Sequence, residues 1–278
     1  MLGRSDLAVE LKSNIEENSG IDSESERFGI LTVTRIKVKN EEGSHAIKKP
    51  VGTYINIDIP DLLYHGGDYI ELENIIIKEC SKLLLIKNNI LVAGLGNRNI
   101  TPDALGPKVA DRILATRHIS NEIKQQTGLK NLKNVSVIQP GVLGQTGVET
   151  AEILKAVINA SFAESLVVID SFAAADAKRL GTTIQICDSG ISPGSGVGNN
   201  RHEISKNTVG IPVIAIGVPT CLDAALFAGG SIKGKKAPMI VTPREIDLLI
   251  DRASHIISNA VNLLLQPDTD RNILLSIV

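Results

Sequence analysis

A chain of 278 residues, 43% hydrophobic, only 3% aromatic and without tryptophan, has the material for one large α/β domain. Its core must be built from Ile, Leu, Val and Ala, the residues favoured by parallel strands that are covered on both faces. A formal net charge of −2 gives no electrostatic basis for direct nucleic-acid binding. No apolar run approaches the roughly 18 residues of a membrane helix, and the acidic N-terminus has no apolar stretch of the kind a secretory signal requires. Cys80, Cys187 and Cys221 lack metal-ligand spacing and read as buried thiols of a reducing, cytoplasmic compartment.

In chain order, residues 1–27 are polar and acidic and end in Asp22-Ser-Glu-Ser-Glu-Arg27. They are expected to form a loosely attached, propeptide-like leader, and residues 28–278 a single α/β domain. Leu31 to Lys39 is rich in β-branched residues, Glu41-Glu-Gly-Ser44 is turn material, and Ile55, Ile57 and Ile59 alternate with Asn56 and Asp58. Together these predict a small antiparallel β element. A helix is predicted from Glu71 to Ile86, then a short apolar strand from Asn89 running into Gly94 and Gly96. Helices over 104–116 and 147–160 alternate with strands over 135–138 and 166–170. Further strands are predicted over 182–186 and 212–218. Thr242-Pro243-Arg244-Glu245 reads as the start of a last helix that runs to about Leu265. This alternation predicts an α/β fold with a mainly parallel twisted sheet and helices on both faces. The Gly, Ser and Asn of 181–207 predict a long shaped loop, and Gly229 to Lys236 an exposed one.

Two acids stand out. Asp103, after Pro102, is expected in the first turn of a helix, where it either offsets the helix dipole or does chemistry. Asp170 is expected at the end of a buried strand, either as a cap for the next helix or as a catalytic group. Both lie at carboxyl ends of strands predicted in one sheet, where open α/β sheets place ligands. Two carboxylates sharing a crevice cannot both ionise easily, so one can act as base toward water while the other, protonated, polarises a carbonyl. The stretch from Ser189 to Arg201 lacks the order of a P-loop, and Asn99 stands where a dinucleotide fingerprint needs its third glycine. The loop instead suits a peptide cleft, with Gly194, Ser195, Gly196, Asn199 and Asn200 shaping it and supplying N–H groups. Gly194-Ser195-Gly196 is only a fragment of a serine nucleophile elbow. His45, His65, His118, His202 and His255 are scattered without zinc-ligand spacing, and only His202 follows the glycine-rich loop.

These motifs resemble a known family. Gly94-Leu-Gly-Asn-Arg-Asn-Ile-Thr-Pro-Asp-Ala-Leu-Gly-Pro107 is similar to the signature of the germination protease of endospore-forming bacteria. Gln139 to Gly147, Val168 to Ala174, Thr182-Thr-Ile-Gln185, Ser189 to Ser205, Ile216 to Thr220 and Met239 to Pro243 resemble it as well. The resemblance implies an aspartic-type endopeptidase that degrades small acid-soluble spore proteins during germination, in the cytoplasm of the forespore or spore core. It implies no cofactor, a fold like that of hydrogenase maturation endopeptidases, and catalytic roles for Asp103 and Asp170. In the hydrogenase relatives the corresponding acids contact a metal; that metal is not carried over. Family members are self-processing zymogens cut near a segment like Arg4-Ser-Asp-Leu-Ala-Val-Glu10, which places autocleavage between Asp6 and Leu7. The competing expectation is that Asp6 simply caps a helix over Leu7 to Leu11. Expected partners are the spore proteins as substrates and further copies of the chain, the family tending to tetramers; neither nucleic acid nor membrane is expected to be bound. The segment from Cys221 to Pro238 is shorter than the insertion many members carry there, which puts subunit contacts and zymogen control in question. The alternatives are a metal-dependent peptidase, or an inactive relative acting as a binding module.

Overall fold

The computed structural model describes residues 5–12, 20–60, 69–85, 87–127, 129, 131–198, 201–224 and 239–277. The elements in chain order are α1 (Ala8–Lys12), β1 (Ile21–Phe28), β2 (Leu31–Val38), α2 (Glu41–Ile47), β3 (Gly52–Asp58), α3 (Ile70–Leu83), β4 (Asn89–Gly94), α4 (Leu105–Asp111), α5 (Asn121–Gln126) and β5 (Asn134–Ile138). There follow α6 (Leu143–Thr146), α7 (Thr150–Ser161), β6 (Ser165–Ala174), β7 (Thr183–Cys187), α8 (Lys206–Val209), β8 (Val213–Asp223), β9 (Ile240–Val241), α9 (Ile246–Leu265) and α10 (Arg271–Ile277).

All the strands join one sheet in the order β1-β2-β3-β7-β8-β6-β4-β5, with β9 added beside β8. β5, β4, β6 and β8 run parallel. β1, β2, β3 and β7 are antiparallel neighbours, and β7 meets β8 antiparallel. The sheet is therefore mixed, where the sequence predicted a mainly parallel one with a separate antiparallel element. β3 pairs with β7 from Tyr54 opposite Cys187 to Asp58 opposite Thr183, which fuses the N-terminal strands to the rest.

The alternation along each strand divides the core. Ile90, Val92, Val167, Ile169, Ile214 and Ile216 face one side with α3, α4 and α9. Leu91, Ala93, Leu166, Val168, Val213 and Ala215 face the other with Leu154 and Ile158 of α7. α9 shows how sequence fixes such a layer: Leu249, Ala253, Ile256, Ile257, Ala260 and Leu264 recur at helical spacing and are all buried. Each fully buried large aliphatic side chain there contributes about 1.5–3 kcal/mol.

Four local expectations are corrected. Residues 21–27, expected in the loose leader, form β1 together with Phe28: Glu24 and Glu26 pair with Arg35, Asp22 with Lys39, and Ser25 with Thr34 across the ladder. Glu41 to Ser44 opens α2 rather than a turn, because the Asn40 side chain accepts the Gly43 N–H and caps it. α4 stops at Asp111, short of the expected Thr116: Asn262 of α9 accepts from Leu114 N at 2.9 Å and donates to Arg112 O at 2.8 Å, capturing the backbone that would have continued the helix. α9 begins at Ile246, beyond the Thr242-Pro243 start. The loop expected over Gly229 to Lys236 lies outside the described residues, as does most of the segment from Cys221 to Pro238. Among the described residues no helix is long and apolar enough to cross a membrane.

Candidate active site

The parallel half of the sheet ends unevenly, and the site occupies the step. The β4 ladder stops with Gly94 opposite Ile169, while β6 and β8 run on together beyond it. Asp170 is thus not at a strand end; it is the first residue of β6 past the β4 edge. It has the parity of Leu166 and Val168, so it sits on the α7 side. It is 5% exposed, and its carboxylate accepts the Ser171 N–H at 2.8 Å.

Asp103 arrives from the loop that β4 feeds. Leu95 N donates to Ile169 O at 2.8 Å, the chain turns through residues 97–100, and a 3-10 turn spans Thr101–Asp103. Asp103 therefore precedes α4 instead of lying in its first turn. Its carboxylate folds back to accept the Asn97 N–H at 2.7 Å. Thr220 of β8 donates its hydroxyl to Pro102 O at 2.6 Å, anchoring the turn to the sheet. Gly96 permits this closure: its φ is +107°, and a Cβ there would stand 2.1 Å from Asp103 O.

Asp103 and Asp170 line one cavity of about 370 Å³, together with the loop after β5 at Gly141 to Gly144, Arg201, Thr220 and Cys221. Burial lifts the Asp103 carboxyl to about 6, and the Asn97 N–H opposes the rise only in part. Asp170 is raised well above the ordinary range, first by burial, then by the Asp103 charge, with a further push from Asp6. Two such groups facing one cavity titrate as a pair and retain a proton toward neutral pH.

The N-terminal segment is packed into the same region. The Asp6 carboxylate accepts the Ser195 hydroxyl at 2.7 Å and the Ala173 N–H at 2.9 Å, and Asp6 N donates to Ala173 O at 2.9 Å. Gln185 donates its side-chain N–H to Asp6 O at 2.9 Å and accepts the Ala8 N–H at 2.7 Å. Leu7 is fully buried against Phe172 and Ala174. Glu10 accepts the backbone N–H groups of Ala175 at 2.8 Å and Asp176 at 2.9 Å. The Asp6 carboxylate is thus bonded to the cleft, while α1 begins at Ala8. Arg4 lies outside the described residues.

Of the loop residues singled out in the sequence, Gly194 borders the aspartate cavity, and Ser195 begins a 3-10 turn and holds Asp6. Gly196 is buried so close that a Cβ would meet an Asp6 oxygen at 2.2 Å. Asn199 and Asn200 lie outside the described residues. His202 is exposed and does not border the cavity. Sequence reasoning passed over Gln185, Thr220, Arg201 and the Ala173 backbone. Only Gln185 carried a signal, a polar residue between Ile184 and Ile186 of a buried strand. All three cysteines are buried and free, and burial pushes the Cys221 thiol up to about 11. Among the described residues no group of three His, Cys, Asp or Glu side chains is placed to hold a metal ion, and the Asp6 carboxylate is already taken up by Ser195 and Ala173. Among the described residues the donors present thus do not fit a metal centre.

Comparison with known proteins places this chain in a family. The profile described as germination protease matches residues 4–234. The chain belongs to the germination protease family. A germination protease of Clostridium tetani is 40% identical, the match covering 95% of each chain. One of Caldanaerobacter subterraneus is also 40% identical, over 95% of this chain and 94% of its own. Among solved structures, a NiFe hydrogenase maturation protease of Thermococcus kodakarensis is similar over 67% of this chain and 98% of its own, at 19% identity and a TM-score of 0.41. Membership makes the chain a peptidase.

Proposed function

We propose that the chain is an endopeptidase that degrades small acid-soluble spore proteins during germination in the spore core, made as a zymogen that cuts itself between Asp6 and Leu7. One observation carries the reading: two coupled carboxylates face a cavity that Asp6 also borders. Asp103, the less buried and less strongly raised of the two, is the base that takes a proton from water. Asp170, deeper and more strongly raised, holds the proton that the leaving amine needs. The contacts to Asp6, Leu7, Ala8 and Glu10 fit a substrate pattern of acid, apolar residue, alanine, any residue, glutamate. Family membership supports protein substrates of the spore and, with the resemblance, a homo-oligomer.

The test is to mix the purified chain with a small acid-soluble spore protein and compare it with Asp103→Asn and Asp170→Asn. Cleavage by the unsubstituted chain, lost in both variants, is expected. Equal cleavage by either variant would remove the two-carboxylate mechanism.

A further inference from the structure

Gln185, which closes the motif Thr182-Thr-Ile-Gln185, makes the most informative contact in the cleft. It is 2% exposed, on β7, with Ile184 and Ile186 of the same strand in the opposite core layer. A buried primary amide must find partners for both ends. Gln185 finds them on either side of Leu7: its N–H reaches Asp6 O, and its carbonyl takes the Ala8 N–H. Asp6 O is the carbonyl oxygen of the Asp6–Leu7 bond.

The ladders align the remaining parts. Gln185 on β7 and Asp170 on β6 both pair with Gly217 of the intervening β8, so the three form one row across the sheet. Residues paired directly across strands share a face, which puts Gln185 and Asp170 on the same side, about two strand spacings or ~10 Å apart. Gly217 contributes no side chain between them, and the Phe172 ring covers it. Asp6 borders both the aspartate cavity and a second cavity that Gln185 lines. Asp6 thus borders the cavity of the two carboxylates while its carbonyl meets the amide donor of Gln185.

We propose that Gln185 is a catalytic residue that stabilises the oxyanion formed at the Asp6 carbonyl, and at the equivalent acidic residue of a peptide substrate, when that bond is hydrolysed. The proposal rests on the reading that the chain cuts at this bond. Water oxygen adds to the Asp6 carbonyl carbon as one water proton passes to Asp103. The carbonyl π electrons move onto the oxygen, which the Gln185 N–H already faces, so the negative charge develops against a donor fixed in advance. The oxyanion then collapses, the C–N bond breaks, and the Leu7 nitrogen leaves with the proton of Asp170. One water is consumed, yielding a carboxyl on Asp6 and an amine on Leu7. The Ala8 contact holds the next peptide unit, so one side chain fixes the chain beyond Leu7 while its other end meets the developing charge.

The test compares the full chain with Gln185→Glu, which keeps an acceptor for Ala8 N–H but loses the donor, and with Gln185→Met, which fills similar volume and makes neither bond. Self-cleavage is followed by mass spectrometry. A peptide of the sequence of residues 4–10 is then supplied to the processed enzyme to separate kcat from KM. Loss of one oxyanion donor lowers kcat about 10²–10³-fold, and KM for Gln185→Glu is expected to stay within about threefold because docking contacts persist. An unchanged kcat, or an effect confined to KM, overturns the assignment and makes Gln185 a binding clamp only. Failure of the unsubstituted chain to cut at Asp6–Leu7 removes the underlying reading and the role of Gln185 with it; normal cleavage by Gln185→Glu removes the role of Gln185 alone. Should neither variant fold, the Gln185 side-chain amide resonance in the unsubstituted ¹⁵N-labelled chain decides: a shift on cleavage is expected, and its absence overturns the assignment.

Discussion

Two acidic stretches lie close together near the N-terminus, and the fold treats them in opposite ways. Residues 21–28 form an edge strand. Its side chains are largely exposed, it pairs with β2 along its whole length, and its acids meet Arg35 and Lys39 at the surface. Residues 5–10 belong to no ladder. Leu7, Ala8 and Glu10 are buried, and the carboxylates of Asp6 and Glu10 accept hydrogen bonds from the cleft. Surface ion pairs contribute about 0–1 kcal/mol, whereas hydrogen bonds to a charged, partly buried group contribute about 1.5–3 kcal/mol each. The difference teaches that acidic composition does not distinguish a paired strand from a bound peptide; the direction and burial of the acceptors do.

The comparison breaks most completely if the cleft can be silenced while β1 stays intact. Asp170→Asn is expected to slow cleavage at Asp6–Leu7 about 10²–10⁴-fold, with hydrogen exchange in β1 unchanged; mass spectrometry of the incubated chain reads both. Both carboxyls have higher pKa values folded than unfolded, so the folded chain binds more protons from about pH 4, the ordinary aspartate value, upward. Their contribution to stability is therefore fully present at low pH and lost as pH rises through the raised values, about 6 for Asp103. Asp170→Asn removes one such buried charge and should raise Tm by a few degrees at pH 8 and by less at pH 4; a fall in Tm at pH 8 would contradict this. Cleavage itself should fall below about pH 6 as Asp103 protonates, and again at higher pH as Asp170 ionises.

The reverse break comes from the sheet. Arg35 pairs with the fully buried Glu79 as well as with the β1 acids. Arg35→Ala leaves that carboxylate with the half-exposed Lys82 as its one remaining partner, at a cost of up to about 3–5 kcal/mol and on the order of 10 °C in Tm. Self-cleavage well below the new Tm should persist; its loss would mean that β1 and the cleft are one unit. A smaller effect sharpens the contrast: Ser195→Ala removes one charge-assisted bond to Asp6, so amide protection in residues 5–12 should drop about 10–100-fold while that of β1 holds. The smallest is Glu24→Gln, which trims an exposed ion pair and should shift stability by less than about 0.5 kcal/mol with no change in cleavage.

Much of this was legible in the sequence, for physical reasons that also mark where legibility ended. β4, β6, β7 and β8 are apolar runs bounded by turn residues, and α9 repeats its aliphatics at helical spacing; burial of one face or two writes such patterns directly. The pairing of β3 with β7 was not legible, because a ladder between residues more than a hundred positions apart leaves no local trace. β1 was hidden because an edge strand solvated on its faces has the composition of a linker. Asp103 and Asp170 were legible as acids beside apolar strands, yet their positions shifted: β6 outruns β4, and Asp103 sits in a turn held by Thr220. Gln185 was invisible as chemistry until its two hydrogen bonds straddled Leu7.

The most direct measurement is the N-terminal residue of the full chain after incubation near pH 6, beside Asp103→Asn treated identically. A new terminus at Leu7 in the unsubstituted chain, with Asp103→Asn left uncut, is the expected result. An uncut chain, a cut elsewhere, or equal cutting of both would contradict hydrolysis of the docked segment by the paired carboxylates.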